Sequence, residues 1–298
     1  MSFSSDVKKE LLAINDNARH CQIAMLSAVI NICGVYNGEN IIISSENSDV
    51  IDKAYELIKT IFNVELNKSN SYKISVADKI IVNNLVNMLD LSTDDTYSDY
   101  VINPVVVSSN CCKRAYIRGA FICSGSVTDP EKNYHLEFTN TDYDHCVDLK
   151  KLIQSFGIEA KIVERKNHYV LYIKEGEQIV DMLNIMLAHK ALMKLENVRI
   201  VKDLRNNLNR IVNCETANIN KVVSASVRQI NAIEYIRATV GLSYLTPQLQ
   251  EMARARLQYP DMSLKELGTK LNPPVGKSGV NHRLSKIIKI EQQLKGEI

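Results

Sequence analysis

The sequence predicts an α+β protein in which a duplicated N-terminal domain precedes an all-α C-terminal domain. Two observations support this fold class. Apolar helix and strand patterns run through the first hundred residues and then start again, in the same order, in the second hundred. The last third of the chain shows only helical spacing of apolar residues. We therefore divide the chain into two halves at 1–96 and 97–200, a linker at 201–215 and a helical domain at 216–298.

The first half is predicted from helix caps, one hairpin turn and alternating apolar periods. Gly34 ends an apolar helix, and Asn37-Gly38 is a hairpin turn signal. The predicted elements are a helix from Ser4 or Ser5 to Ile14, a helix from Cys21 to Cys33, a strand at Ile41–Ile43, a helix from Ser48, a strand around Tyr72–Val76 and a helix around Asp78–Leu89.

The second half repeats this order after a polar connector at Ser92–Thr96. Its predicted elements are a helix at Cys112–Cys123, a strand near His135–Thr139, a helix near Tyr143–Phe156, strands near Ala160–Glu164 and Tyr169–Lys174, and a helix from about Gln178 that runs on through Leu195. Two α+β halves of about a hundred residues each account for this pattern better than one unrepeated domain.

The C-terminal third contains a long helix that ends near Gly241, followed by three short helices. Thr246-Pro247 is an N-cap followed by proline at the first helical position, and Tyr259-Pro260 stops that helix. Ser263 and Glu266 form a capping box that opens the second helix, which Asn272-Pro273-Pro274 must end. The three helices predict a helix-turn-helix at 246–290.

The third helix of this motif begins near Lys277 and would bury Val280, Leu284, Ile287 and Ile288 on one face. From Lys277 to Lys289 it has four Lys or Arg residues and no acid. We predict that this helix binds DNA through its opposite face and its first turn. The predicted DNA-binding residues are Lys277, Ser278, Gly279, Asn281, His282, Arg283, Ser285 and Lys286.

The chemistry of these side chains suits a recognition helix in the major groove. Lys277, Arg283 and Lys286 can neutralise phosphates, whereas Ser278 and Asn281 can hydrogen-bond to base edges or to the DNA backbone. The alternative is a solvated basic helix in a helical bundle. The charge distribution favours DNA, because the chain from Lys202 onward has 15 Lys and Arg against 8 Asp and Glu, and the part before it has 21 against 26.

Composition excludes several other classes of protein. The 298 residues are 45% hydrophobic and 23% charged, as in ordinary globular domains. The N-terminus has no secretory pattern, and no run of about eighteen apolar residues occurs, so we expect a cytoplasmic protein without a membrane partner.

Seven cysteines lie at positions 21, 33, 111, 112, 123, 146 and 214, without a CxxC pair or a cysteine-histidine set at zinc spacing. We therefore expect reduced, mostly buried thiols, no bound metal and no cofactor. A redox-active Cys111-Cys112 pair is the alternative.

Two apolar segments resemble the LAGLIDADG helix of homing endonucleases. They are Leu26–Gly34 and Ile117–Gly125, and the second starts 91 residues after the first. In that family the two helices pack side by side, and an acid before each final glycine holds the catalytic metal. Here those positions are Cys33 and Ser124, and neither supplies the carboxylate oxygen that Mg²⁺ requires. The resemblance thus implies a retained fold without catalytic residues.

The whole chain resembles the WhiA family of bacterial sporulation and cell-division regulators. Ser263–Gly268 and Asn272–Leu284 resemble its C-terminal signature, and Asn213–Asn218 and Arg228–Ile230 resemble further family segments. The resemblance implies a sequence-specific transcriptional regulator that binds double-stranded DNA, is associated with the nucleoid and affects cell division, chromosome segregation or sporulation.

Two other functions remain open from the sequence. One is a scaffold with weak DNA affinity, in which the acidic N-terminal part binds another regulatory protein. The other is a metal-dependent endonuclease that uses different acids, such as Asp142 or Asp144, at a displaced metal site.

Overall fold

The protein folds into two compact units, Met1–Lys202 and Asp203–Ile298. The structure is a computed structural model and describes residues 2–65, 68–90 and 101–296. The predicted connector at Ser92–Thr96, and with it the boundary between the two predicted halves, lies outside the described residues. Each unit is described by itself below.

The first half of the N-terminal unit has four helices and four strands within its described residues. They are α1 (Phe3–Leu12), α2 (Arg19–Cys33), β1 (Gly34–Tyr36), β2 (Ile41–Ser44), α3 (Ser48–Phe62), β3 (Lys68–Asn70), β4 (Lys73–Val76) and α4 (Lys79–Leu89). The predicted hairpin joins β1 to β2, and the predicted helices lie within a few residues of their expected limits.

The second half repeats the same arrangement. Its elements are α5 (Asn110–Ser124), β5 (Gly125–Val127), β6 (Leu136–Asn140), α6 (Tyr143–Gln154), β7 (Lys161–Arg165), β8 (His168–Ile173) and α7 (Gly176–Ile185). The strand orders are β1-β2-β4-β3 and β5-β6-β8-β7, and every pair of neighbouring strands is antiparallel. The identical order of the two sheets confirms the predicted duplication.

Helices α2 and α5 pack against each other at the centre of this unit. Small residues allow the close approach, since a Cβ added to Gly119 would lie 2.9 Å from both the Ala28 Cβ and the Met25 carbonyl oxygen. Both helices are buried over most of their length, and one apolar core takes side chains from both halves. The central helix pair therefore joins the two halves into one folded unit.

A long helix, α8 (His189–Thr239), contains the segment 201–215 that we expected as a linker. Polar composition suggested a break there, but His189–Thr239 contains neither glycine nor proline, so nothing interrupts the helical hydrogen bonding. The continuous helix expected through Leu195 is instead interrupted after α7, where Leu187 has a left-handed φ of 67°. The Ala188 N–H there donates to the Leu183 carbonyl, which ends α7.

The C-terminal unit continues with a 3₁₀ turn at Leu242–Tyr244 and three helices, α9 (Pro247–Gln258), α10 (Leu264–Thr269) and α11 (Lys277–Lys295). Ser263 and Glu266 form the predicted capping box, with hydrogen bonds of 3.4 and 2.9 Å in its two directions. Thr246 occupies the predicted N-cap position of α9, although its side chain makes no capping hydrogen bond. This unit is all-α among its described residues, as predicted.

Buried apolar side chains from the end of α8 and from α9, α10 and α11 form the core of this unit. Ile233 and Ile236 of α8 belong to it, whereas the preceding apolar positions Ile219, Val222 and Val227 are more than half exposed. The third helix buries Val280, Leu284 and Ile287, and it leaves Ile288 half-buried. The helical periods thus place the core of the helix-turn-helix correctly, with Ile288 at its margin.

A buried histidine makes the N-terminal unit sensitive to acid. The His145 ring lies between the Tyr116 hydroxyl, 2.8 Å from Nε2, and the Asn140 amide nitrogen, 2.7 Å from Nδ1. Burial lowers its pKa from 6.5 to about 4. The unfolded chain therefore binds a proton more readily than the folded chain does, and stability falls as the pH drops from 6.5 towards about 4.

We expect this titration to remove about 3 kcal/mol of unfolding free energy across that pH range. The measurement is denaturant unfolding of the wild type and of His145→Gln at a series of pH values. The glutamine variant retains polar atoms but has no proton to gain, so its stability should decline less steeply. Parallel pH profiles for the two proteins would contradict the assignment.

Candidate nucleic-acid interface

Helix α11 has one buried face and one exposed polar face. Val280, Leu284 and Ile287 are directed into the core, and the exposed side chains follow a helical period on the opposite side. The exposed polar residues of this helix surface are Ser278, Asn281, His282, Ser285, Lys286 and Lys289, with Lys277 exposed in the first turn. Six of the eight predicted DNA-binding residues are therefore solvent-accessible on a single helix.

The charges of this surface are positive. Lys277, Lys286 and Lys289 are exposed, and within the described part of the chain none of them has an acidic partner within 4.0 Å. Glu291 is the first acid along α11, and its carboxylate pairs with Lys295. An anionic ligand would therefore meet three cations on this helix without displacing an internal ion pair.

Arg283 does not lie on the exposed face, where the sequence analysis placed it. Its side chain is 18% exposed, and Nη1 lies 3.8 Å from Oε2 of Glu251 on α9. The other Glu251 oxygen accepts a hydrogen bond of 2.7 Å from the Asn272 N–H, just before α11. Helical spacing alone put Arg283 beside Asn281 and His282, but the acid on the neighbouring helix draws its guanidinium inward. Arg283 therefore forms an ion pair between α11 and α9.

Gly279 has a packing role rather than an exposed position. A Cβ at this residue would lie 2.4 Å from Cγ1 of Val275, so the glycine lets the turn before α11 fold onto the helix. Gly268 on α10 also contacts this turn, through Val275. Its carbonyl accepts a 3.0 Å hydrogen bond from the Val275 N–H, and a Cβ on it would lie 2.0 Å from the Val275 carbonyl oxygen.

A buried arginine that the sequence analysis did not single out stabilises the turn between α9 and α10. Arg256 is 2% exposed, and its Nη1 donates to the carbonyls of Pro260 and Met262 at 3.2 and 2.8 Å. Both ends of α10 are thus fixed by specific contacts, Arg256 before it and Gly268 with Val275 after it. The first and second helices of the motif hold α11 in a defined position.

The residues before the final glycines of the two LAGLIDADG-like segments carry no carboxylate. Cys33 and Ser124 end α2 and α5 and are half-buried, and the Ser124 hydroxyl donates to the Ala120 carbonyl of its own helix at 3.2 Å. A hydrogen bond with Cys123 lowers the pKa of the Cys33 thiol. The half-buried ammonium of Lys8 interacts electrostatically with Cys33 and Cys123, and burial lowers the pKa of this lysine. A cation beside thiols and a hydroxyl does not fit Mg²⁺.

Asp142 and Asp144, the acids considered for a displaced nuclease site, do not lie in a cluster of potential metal ligands within the described residues. Asp142 is the N-cap of α6 and accepts hydrogen bonds from the backbone N–H groups of Asp144 and His145. Both aspartates are exposed. Across residues 2–65, 68–90 and 101–296, neither belongs to a group of three or more potential metal ligands.

A different cluster of metal-binding side chains does form where α2 and α5 begin. His20 and Cys21 from α2 meet Cys111 and Cys112 from α5, with all four ligand atoms within 4.8 Å of one another. Spacing along the chain indicated no cysteine-histidine set of zinc-binding type, because the two pairs of this cluster lie 91 residues apart. Burial raises the pKa of the Cys21 thiol to about 12, and a hydrogen bond with Ser109 lowers that of Cys111.

Among the described residues, no helix combines the length and the apolar composition that crossing a bilayer requires.

Family models match both parts of the chain. The WhiA LAGLIDADG-like domain matches residues 113–205, and the WhiA C-terminal HTH domain matches residues 208–291. Together these matches span the second α+β half and most of the helical unit.

Similar proteins and a solved structure extend the match to the whole chain. A "Probable cell division protein WhiA" of Thermoanaerobacter pseudethanolicus is 49% identical over 99% of this chain and 98% of its own. Its namesake in Clostridium perfringens is 45% identical over 99% of both chains. The crystal structure of full-length DUF199/WhiA from Thermatoga maritima is 27% identical, covers 98% of this chain and 99% of its own, and superposes with a TM-score of 0.60.

These matches confirm the predicted combination of a LAGLIDADG-like domain and a helix-turn-helix domain. With relatives of this identity over nearly its full length, the chain belongs to the WhiA family.

Proposed function

We propose that this protein is a sequence-specific DNA-binding transcriptional regulator of cell division, chromosome segregation or sporulation, and that it does not cleave DNA. The exposed face of α11 carries the proposal: Lys277, Lys286 and Lys289 surround Asn281 and His282, while the opposite face is anchored in the core. A helix with this division of faces can enter the major groove without losing its packing. The names of the relatives support the link to cell division. We propose that the protein acts at the nucleoid, in the cytoplasm.

The side chains of α11 divide into two roles. Lys277 and Lys286 neutralise phosphates, which sets affinity and orientation. Ser278, Asn281, His282 and Ser285 present donors and acceptors to base edges or to the DNA backbone. Arg283 acts through Glu251 as a positioning residue, and Gly279 allows the turn before α11 to close.

Removing one phosphate contact should change the salt dependence of binding. We expect Lys286→Ala to weaken binding to every duplex and to reduce the slope of log affinity against log salt by about one unit. The measurement is a fluorescence-anisotropy titration at several salt concentrations. Lys221→Ala is the matched control, because Lys221 is also exposed in the C-terminal unit but lies on α8. Equal slopes for the wild type and Lys286→Ala would exclude Lys286 as a phosphate ligand.

Site mapping tests the proposed function as a whole. We expect selection from random duplexes to yield a preferred sequence that the protein binds at physiological salt at least about a thousandfold more tightly than unrelated DNA. Affinity without preference that is lost at physiological salt would favour the scaffold, in which the acidic N-terminal unit binds another regulatory protein.

Nuclease activity is tested on the same duplexes. Incubating the selected DNA with the protein and Mg²⁺ or Mn²⁺ should leave both strands intact, because the helix ends that would hold the metal carry Cys33 and Ser124, and Lys8 of α1 interacts with Cys33. Metal-dependent cutting that Asp142→Asn or Asp144→Asn abolishes would establish the endonuclease instead.

A further inference from the structure

Four potential metal ligands meet at the N-terminal ends of the two central helices. His20 and Cys21 lie in the first turn of α2, and Cys111 and Cys112 lie in the first turn of α5. This cluster is at the opposite ends of the helices from Cys33 and Ser124. It takes no part in the proposed contact between α11 and DNA.

The ligand atoms are already close to the spacing of a tetrahedral site. His20 Nδ1 lies 3.1 Å from the Cys112 sulfur, 3.4 Å from the Cys21 sulfur and 3.9 Å from the Cys111 sulfur. Zinc binds sulfur at about 2.3 Å and nitrogen at about 2.0–2.1 Å, so the corners of its tetrahedron are about 3.5–3.8 Å apart. The four ligand atoms lie within 4.8 Å of one another, so side-chain movements of about an ångström or less bring them to these distances.

The duplication of the fold explains how this cluster arises. Cys111 follows His20 by 91 residues, and Cys112 follows Cys21 by the same interval, which is also the interval between the two LAGLIDADG-like segments. Each half thus contributes two ligands from equivalent positions. One ion bound to all four would join the two halves at the beginnings of their central helices.

The surroundings suit thiolate ligands that a metal can reach. Cys21 and Cys112 are buried, whereas His20 and Cys111 are exposed and line a cavity together with Asn87, Met88 and Val105. The N-terminal ends of α2 and α5 favour negative charge on the sulfurs, which opposes the effect of burial on Cys21. The Ser109 hydroxyl, 3.0 Å from the Cys112 sulfur, donates to it and orients it.

We propose that His20, Cys21, Cys111 and Cys112 form a structural Zn²⁺ site that connects the two halves of the N-terminal unit. Three thiolates and one imidazole are a ligand set that zinc uses in closed structural sites, and soft sulfur ligands exclude Mg²⁺ and Ca²⁺. Binding requires the loss of three thiol protons, which pass to solvent, and no oxidation or reduction occurs. All four protein ligands occupy the coordination sphere, so no position is left for catalysis.

Metal analysis of the full chain tests this proposal. The protein is purified in reductant, incubated with Zn²⁺ and desalted, and its metal content is measured. We expect one zinc per chain, falling to near zero in Cys112→Ser and in Cys21→Ser. Cys146→Ser and Cys214→Ser are the controls, one buried and one exposed, and both should retain full occupancy because neither thiol belongs to the cluster.

Three further measurements keep the test decisive if a buried variant fails to fold. His20→Ala and Cys111→Ser change exposed side chains, so they should fold normally and still lose zinc. Replacing zinc with Co²⁺ should give tetrahedral d–d absorption and a thiolate-to-cobalt charge-transfer band, and Cys111→Ser should weaken both. Zinc should also raise the Tm of the wild type and leave that of Cys111→Ser unchanged.

Several results would overturn the zinc site. They are the absence of stoichiometric zinc in folded, reduced protein, zinc that persists in both His20→Ala and Cys111→Ser, and an iron–sulfur chromophore in place of zinc. A change in DNA affinity alone neither supports nor contradicts the zinc site. The site is tested by metal content, Co²⁺ spectra and Tm.

Discussion

Replacing Arg118 with methionine is expected to destabilise the N-terminal unit by about 3–5 kcal/mol. Arg118 is 1% exposed, the largest fully buried side chain in the described part of the chain, and its Nη2 pairs with the Asp16 carboxylate. Methionine fills much of the same volume but leaves this carboxylate, which is 18% exposed, without its guanidinium. An unpaired charge in such a site costs far more than a lost surface ion pair.

Asp16 belongs to the loop that joins α1 to α2. Loss of the Arg118 ion pair therefore affects the position of the whole loop as well as one contact. Lys53 of α3 binds the same loop, with its ammonium 3.0 Å from the Ile14 carbonyl and 2.8 Å from the Asn15 side-chain oxygen. Residues from both halves thus fix this short segment at the base of the central helix pair. We expect faster hydrogen exchange in α2 and α5 when Arg118 is lost.

The measurement is denaturant unfolding, with hydrogen exchange by mass spectrometry to assign the change to the N-terminal unit. The double variant Arg118→Met with Asp16→Asn is the control. It removes both charges, so it should recover most of the lost stability. A loss below about 1 kcal/mol in the single variant, or no recovery in the double variant, would mean that the buried pair is not what stabilises the loop.

The second large effect is expected at Gly268, where alanine should destabilise the C-terminal unit and disrupt DNA binding. A Cβ there lies 2.0 Å from the Val275 carbonyl oxygen, which is a backbone atom and cannot rotate away. Alanine improves helix propensity by about 1 kcal/mol, but overpacking of this kind costs about 3 kcal/mol. The net loss is about 2 kcal/mol, and the turn before α11 must move.

Gly276→Ser is the matched control for Gly268→Ala. Gly276 has no atom within 4 Å of an added Cβ, its φ of −68° suits any residue, and serine is a favoured N-cap. We expect Gly276→Ser to retain the stability of the wild type in thermal unfolding. If Gly268→Ala has the same Tm as the control, the contact between Gly268 and Val275 is not required to position α11.

The helix-turn-helix could be predicted because its signals are local. A capping box, a proline pair and a period of apolar residues each involve side chains within a few positions of one another. The side chain of Arg283 could not be placed by the same means. Its position depends on Glu251, 32 residues earlier and on another helix, and the helical period of α11 contains no information about that acid.

Two further differences concern the segment 201–215 and the cluster of potential metal ligands. The segment 201–215 was interpreted as a linker from its polarity, although a polar segment without glycine or proline can extend a helix. The cluster at His20 and Cys111 could not be predicted from closely spaced ligands, since its members come from two repeats. Applying the 91-residue interval to the cysteines as well as to the apolar segments would have paired Cys21 with Cys112.

The ammonium of Lys8 opposes the creation of a metal site at the ends of α2 and α5. Aspartates in place of Cys33 and Ser124 would bring two carboxylates to the helix ends, but Lys8 interacts with Cys33 and would then neutralise one of them. A divalent cation would have to compete for these carboxylates with the ammonium of Lys8, which belongs to the chain itself. A metal site here would therefore require three substitutions together, at Cys33, Ser124 and Lys8, and no single one of them would create it.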